Sequence, residues 1–233
     1  MARVTPAAYA AWRGASLGRV VEALELDLVF ELAGDLRGKA VLDVGCGDGT
    51  YAIEAATRGA AATGIDRAPD MIAAARARGA ASDARFIEGD ALALPFGDGS
   101  FDVVVAVTLL CFVPDAQGAV REMARVLRPG GRLVLGDLGR LSTWALKRRV
   151  KGLLGSETWR GARFWTCDAL RALMRSGGLG AERCVGCVYL PPSQACAWPM
   201  ARLDRHMRGL GSVGAAFLAV VGERPTATLG APP

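Results

Sequence analysis

Three carboxylates and a cluster of glycines stand where apolar runs of the chain give way to turns. Val44-Gly45-Cys46-Gly47-Asp48-Gly49-Thr50 follows the apolar run 40–44 and leads directly into a helical pattern. Glycines at such a turn let backbone approach a ligand closely, and the N–H groups of the helix that follows face it. Asp66 closes a second apolar run, where a carboxylate can accept both hydroxyls of a ribose. Asp90 closes a third, in Glu88-Gly89-Asp90-Ala91-Leu92, and offers a polar group to an adenine edge. A ribose acid followed by an adenine contact is a nucleoside site. The spacing then separates two kinds of nucleoside. A dinucleotide fold wants G-x-G-x-x-G with the pyrophosphate over the helix N-terminus, whereas this chain has G-x-G-x-G preceded by Asp43 inside the strand. An acid there repels pyrophosphate and suits a positively charged ligand, which argues against a nicotinamide dinucleotide.

Strands and helices must alternate to bring these residues together. Leu17, Val20, Val21, Leu24, Leu28 and Leu32 recur at helical spacing and stop near Gly34, so the chain opens with an amphipathic helix. Strands are expected at 40–44, 61–66, 85–88, 101–107 and 132–137, with helices at 51–58, 69–78 and 116–127 between them. Beyond these the pattern predicts a basic helix at 141–154, a helix at 167–176, and strands at about 182–190 and 217–223. Nearly continuous apolar strands alternating with helices imply a doubly wound α/β fold, with a mostly parallel seven-stranded sheet covered on both faces. Ligands in such sheets bind outside the C-terminal strand ends, where Gly45, Asp66 and Asp90 fall.

Composition narrows the class further. The 233 residues are 52% hydrophobic and 22% charged, enough apolar material for one buried core and too little polarity for a disordered chain. No uninterrupted run of about 20 apolar residues is present, and Glu22, Glu25 and Asp27 break the first hydrophobic stretch, so a cytoplasmic protein without a spanning segment is expected. The six cysteines follow no dense framework and are expected as thiols; Cys184 and Cys187 form C-x-x-C, but with one histidine, His206, and no second such pair, no metal site is expected. Charge is uneven: residues 1–138 hold 14 basic and 18 acidic side chains, and residues 139–233 hold 14 and 5, so a net −4 is followed by a net +9. Arg140, Lys147, Arg148, Arg149, Lys151, Arg160 and Arg163 face only Glu157 across 24 residues. This segment reads either as a solvated basic helix or as a contact for an anionic substrate or a membrane surface. No basic and aromatic module for nucleic acid accompanies it.

The ordered blocks resemble those of the class I S-adenosylmethionine-dependent methyltransferases of small-molecule type, related to the ubiquinone- and menaquinone-pathway C-methyltransferases. The likeness is carried by Val41-Leu42-Asp43-Val44-Gly45-Cys46-Gly47-Asp48-Gly49, Asp66, Gly89-Asp90-Ala91, Leu94-Pro95-Phe96 through Ser100-Phe101-Asp102, and Glu122-Met123-Ala124-Arg125-Val126-Leu127-Arg128-Pro129-Gly130-Gly131. It covers about residues 40–137. The resemblance implies that S-adenosylmethionine is the cofactor and that Gly45, Gly47 and Gly49 line its methionine and ribose portion, with Asp43 supporting the turn. Asp66 with Arg67 would take the ribose, Asp90, Ala91 and Met71 the adenine, and Thr108 with Leu109 would border the donor after the fourth strand. Relatives often carry histidine in the block that here reads Leu110-Cys111-Phe112-Val113-Pro114-Asp115, so a histidine base is not available there. Cys111 then reads as apolar lining, and His206 as a surface helix residue.

Methyl transfer from a sulfonium needs the acceptor in line behind the methyl group, so the protein chiefly positions the reactants and excludes water. The acceptor, expected to be a small organic molecule that is apolar, aromatic or lipid-like, would meet the segments outside the core blocks. Tyr9 and Trp12 precede the first helix, and relatives with a similar Tyr-x-x-Trp opening suggest that this segment folds over the donor. Trp144, Phe164 and Trp165 lie in an insertion after strand five and supply aromatic walls. One domain is expected over 1–224, with a helical cap at 1–38, a cofactor core at 39–138, an acceptor-side part at 139–224 and a disordered tail at 225–233. Two other readings stay open: a non-catalytic S-adenosylmethionine sensor or partner subunit, and a nicotinamide-dependent oxidoreductase.

Overall fold

The computed structural model of the chain describes residues 5–193 and 197–226. Seven strands form one sheet: β1 (Ala40–Val44), β2 (Ala61–Asp66), β3 (Arg85–Glu88), β4 (Phe101–Val107), β5 (Leu127–Leu138), β6 (Gly180–Cys187) and β7 (Phe217–Glu223), in the order β3-β2-β1-β4-β5-β7-β6. Nine α-helices accompany them among the described residues: α1 (Pro6–Gly14), α2 (Ser16–Ala33), α3 (Thr50–Thr57), α4 (Pro69–Arg78), α5 (Ala116–Val126), α6 (Thr143–Leu153), α7 (Glu157–Arg160), α8 (Cys167–Ser176) and α9 (Ala197–Met207). The chain winds outward from β1 to β3 and then returns to place β4 on the other side of β1, Val41 pairing with both Ala62 and Val103. The strand order therefore switches between β1 and β4, and a crevice opens at their C-terminal ends.

Alternation along the strands divides the core into two layers. Val41, Val103, Val105 and Val134 pack with α2, whereas Leu42, Val44, Val104, Leu133 and Leu135 pack with α5 and α8. The sheet is mixed: four pairings are parallel, and β7 runs antiparallel to both β5 and β6. Strand five begins earlier than the pattern suggests, at Leu127, because Arg128-Pro129-Gly130-Gly131 bulges without leaving the strand and Leu127 still pairs with Phe101. The first helix is also not the long amphipathic one. Thr5 caps α1 by accepting a hydrogen bond from Ala8 N, and Pro6 starts it, so Tyr9 and Trp12 sit on a helix of their own.

The cysteines depart from the all-thiol expectation. Cys167 at the start of α8 and Cys184 on β6 form a disulfide, with Cα atoms 5.8 Å apart. Cys184 and Cys187 cannot act as a pair because positions three apart on a strand point to opposite faces. Cys184 packs with the α5–α8 layer, and Cys187 is a buried thiol in the α2 layer. The expected tail at 225–233 lies outside the described residues from 227 onward.

Candidate functional site

At the crevice, Gly45, Asp66, Arg67, Asp90, Ala91 and Leu109 line a single cleft together with Ile65, Gly89 and Val113. The turn after β1 is held against β2: the Gly45 and Cys46 amides both donate to the Ile65 carbonyl, at 2.7 and 3.0 Å. Gly45 has φ +73°, and a Cβ built there would lie 2.7 Å from Leu109 Cδ1, so only glycine lets that leucine close over the turn. Leu109 is brought there by Thr108, which ends β4 at φ +52° with its amide donating to the Gly136 carbonyl at 2.7 Å. The Asp66 carboxylate accepts from Gly47 N at 3.0 Å and from Ala68 N at 2.9 Å. These two bonds fix the half-buried acid at the mouth of the cleft. Asp90 is exposed and accepts from Leu92 N at 3.0 Å.

Beneath the turn lies Asp43, 1% exposed. Its Oδ2 accepts from Ala52 N at 3.1 Å, tying β1 to α3, while Oδ1 is buried with no hydrogen-bond partner among the described residues. Burial pushes the carboxyl up to about 7, against the Ala52 bond and with the help of neighbouring Asp66 and Asp48. Not every expected residue reaches the cleft wall. Gly49 has φ +89° and faces the Phe86 ring, 2.8 Å from where a Cβ would stand, so it permits helix–strand packing. Met71 is buried on α4. Asp43, Gly47 and Thr108 are not part of the cleft lining.

A set of charges missed by motif reading locks the cap onto this turn. Asp48 is 2% exposed and is clasped by Arg13 from α1 and by Arg78 from α4, the latter at 2.8 Å. Arg13 also reaches Thr50 Oγ1 at 2.8 Å and Glu22 at 3.8 Å. The one signal in the sequence is an acid lodged between the second and third glycines, a position where a lone carboxylate would be costly to bury.

The other expected residues lie outside that cleft lining, and they divide between the two layers of the core, Trp12 and Trp144 with α2 and Trp165 with α5 and α8. Tyr9 and Trp12 stack at 6.0 Å, and the Arg13 guanidinium lies 5.0 Å from the Tyr9 ring. Cys111 is 1% exposed, and its amide donates at 3.0 Å to Asp137, a fully buried acid near the end of β5. Burial pushes the Cys111 thiol up and the Asp137 carboxyl up to about 6, which leaves Cys111 an unreactive buried thiol. Trp144 is a core residue whose indole N–H donates to the Leu190 carbonyl at 2.8 Å. Phe164 lies beneath the Arg149 guanidinium at 5.0 Å, and Trp165 packs on the α5–α8 layer with its indole nitrogen buried and unbonded.

Two further residues belong with these. Arg148 projects from α6 between the Trp144 and Trp159 rings, 5.2 and 5.0 Å from their centres. Half-buried Glu25 on α2 feels Arg148, Glu22 and Asp137, and its charge in turn bears on Tyr9, Tyr51 and Cys187. Burial pushes its carboxyl up to about 8. Glu25 and Arg148 make no hydrogen bond or close ion pair with each other. No histidine takes part, and His206 is exposed on α9.

Comparison with known proteins agrees with this geometry. A family model described as a methyltransferase domain matches residues 42–135. The ubiquinone biosynthesis O-methyltransferase of Pseudomonas paraeruginosa is 34% identical over 180 residues, covering 73% of this chain and 77% of its own length. That of Xanthomonas oryzae pv. oryzae is 37% identical over 166 residues, covering 67% and 69%. Among solved structures, an S-adenosylmethionine-dependent methyltransferase of Thermotoga maritima superposes with a TM-score of 0.71 at 25% identity, over 93% of this chain and 94% of that one. The matched segment runs from inside β1 to inside β5 and holds the whole turn-and-acid framework of the cleft. By sequence, shared length and fold together, the chain belongs to the class I S-adenosylmethionine-dependent methyltransferases and is an enzyme that uses S-adenosylmethionine as its cofactor.

Proposed function

We propose that this enzyme methylates a small organic acceptor held between the donor cleft and the aromatic and charged side chains of α1, α2 and α6. The donor's place is supported by the orphaned, buried Oδ1 of Asp43 and by the Asp66 carboxylate at the turn, a setting that suits a sulfonium cation. In this reading Asp66 takes the ribose hydroxyls beside Arg67, and Asp90 and Ala91 take the adenine edge, with Met71 beneath. Gly45, Gly47 and Gly49 shape the cradle, and Thr108 with Leu109 border its methyl-bearing end. S-adenosylmethionine bound there supplies an activated methyl group, and the chain's own residues align the acceptor and keep water out.

The acceptor side comprises the segments at 1–38 and 139–224 of a single domain, where Tyr9, Trp12, Cys111, Trp144, Phe164 and Trp165 form or back the walls. Glu25 is the group best placed to remove a proton from an acidic acceptor atom, with Arg148 steadying the negative charge that results. That pair would suit an oxygen acceptor, and two relatives bear the name O-methyltransferase. A cytoplasmic enzyme is part of this reading.

The observation that carries the proposal is the anchoring of Asp66 by the Gly47 and Ala68 amides at the mouth of the cleft. Calorimetric titration with S-adenosylhomocysteine should show binding to the wild type that is lost in Asp66→Ala, with no heat from NADH. Methyl-labelled donor should then mark an extract of small metabolites. Label found only in protein or RNA would refute the small acceptor.

A further inference from the structure

We propose that the outer face of α6 is a docking surface for an anionic lipid bilayer. Eight large hydrophobic side chains stand exposed among the described residues, and five of them fall between 141 and 154: Leu141, Leu146, Val150, Leu153 and Leu154. Leu153 and Leu154 are 87% and 82% exposed. Chance scatter over a surface does not place most such residues on one short helix and its flanks.

Their arrangement is that of a helix lying in an interface. At about 100° per residue, Leu146, Val150 and Leu153 fall within an arc of about 60°. Trp144 and Arg148, which turn toward the body of the protein, lie on the opposite side. Basic residues border the apolar stripe, Arg149 about 70° to one side of its centre and Lys147 about 90° to the other, with Lys151 beyond. Lys147 donates to the Pro192 carbonyl at 3.2 Å and Arg149 rests on the Phe164 ring, contacts that orient both cations without neutralising them. None of Arg140, Lys147, Arg149, Lys151, Arg160 and Arg163 forms an ion pair with a carboxylate among the described residues. An apolar centre flanked by free cations matches acyl chains below a layer of anionic headgroups.

A second copy of the chain fits this face poorly. A two-fold interface sets a patch against itself, so Arg149, Lys147 and Lys151 would meet their own equivalents with no acid between them. The bilayer supplies the missing negative charge. It also adds to the proposed function, since the helix whose inner face carries Arg148 would rest its outer face on the phase that holds lipid-like acceptors.

Co-sedimentation with sucrose-loaded vesicles tests this directly. Wild-type protein is expected to sediment with phosphatidylcholine vesicles containing phosphatidylglycerol, and to be released about tenfold by high salt or by omission of the anionic lipid. Leu146→Ser combined with Leu153→Ser should weaken partitioning on the order of tenfold, and Lys147→Glu with Lys151→Glu should do the same at low salt. Both pairs are solvent-facing, so an unchanged melting temperature verifies folding. Wild-type protein left in the supernatant with every vesicle, or either double variant sedimenting like the wild type, would overturn the proposal. So would a concentration-dependent dimer in sedimentation velocity that the leucine variant abolishes while vesicle binding is absent. Methyl transfer is read separately, so loss of one conclusion leaves the other standing.

Discussion

Arg13 of the cap helix grips Asp48 of the glycine turn through both guanidinium nitrogens, with the two side chains only 11% and 3% exposed. The contact joins the cap helix α1 to the turn that follows β1. Because Asp48 also holds Arg78 of α4, one carboxylate fastens α1, the turn and α4 to one another.

Removing that carboxylate should therefore loosen more than its own turn. Asp48→Ala is expected to destabilise the protein by about 3 kcal/mol, the usual cost of leaving buried cations unpaired. Arg13→Ala should cost less, since Arg78 still neutralises the acid, but it should free α1. Hydrogen exchange of residues 6–14 ought to rise in both variants, and urea denaturation gives the energies.

Gly45→Ala tests the closure of Leu109 over the turn. The left-handed φ costs an alanine on the order of 1 kcal/mol, and the new methyl must displace the Leu109 side chain as well. The expected result is a folded protein with a modestly lower melting temperature and affinity for S-adenosylhomocysteine reduced at least tenfold. Unchanged affinity would mean that Leu109 does not border the donor.

The parts of this fold that rest on local pattern were legible without coordinates. Ala61–Asp66 and Pro69–Arg78 match their expected bounds, because a short uncharged run closed by an acid and a proline at the first helical turn are signals contained in a few residues. The cleft acids followed from their places at strand ends. What escaped depends on partners distant in sequence: Arg13 meets Asp48 across 35 positions, and Glu25 faces Arg148 from another helix altogether. α1 escaped for a different reason. It carries Tyr9 and Trp12 among alanines without an apolar stripe, and its markers, Thr5 and Pro6, are terminal signals only. The start of β5 was hidden because Pro129-Gly130-Gly131 ordinarily ends an element and here only bulges one.

Glu25 gives a pH signature. Its carboxyl stands at about 8 in the folded protein against an ordinary 4.5, so the native state holds the proton more tightly than the unfolded chain. The resulting stabilisation is complete below about pH 4.5 and is lost as pH rises through about 8. Glu25→Gln cannot ionise, so it should match the wild type near pH 4 and exceed it by about 5 kcal/mol at pH 9, the span from 4.5 to 8 counting about 1.4 kcal/mol for each unit of pH. Thermal melts across that range measure the difference. Glu22 and Asp137 act on Glu25 electrostatically, so the difference profile reports the coupled set, centred on Glu25. If Glu25 is the proton acceptor, the same variant should also lower kcat about a hundredfold once an acceptor is in hand.

The disulfide between Cys167 and Cys184 closes a loop with a sequence separation of 17. Chain-entropy arguments assign such a loop about 3 kcal/mol. Dithiothreitol should therefore lower the melting temperature of the wild type by several degrees and leave Cys167→Ser unaffected, with Ellman titration of the unfolded protein counting the thiols.

The antiparallel strand β7 sits between β5 and β6, so the strand nearest the end of the chain occupies an interior place in the sheet. During synthesis the other described strands of the sheet leave the ribosome before it, and until Phe217–Glu223 arrives β5 presents a bare edge and β6 has no neighbour. Completion of the sheet is thus a late event, the insertion of a keystone between elements already made. A premature stop before Phe217 would not trim this enzyme but leave it with two sticky flanks, exposed to aggregation and a substrate for chaperones.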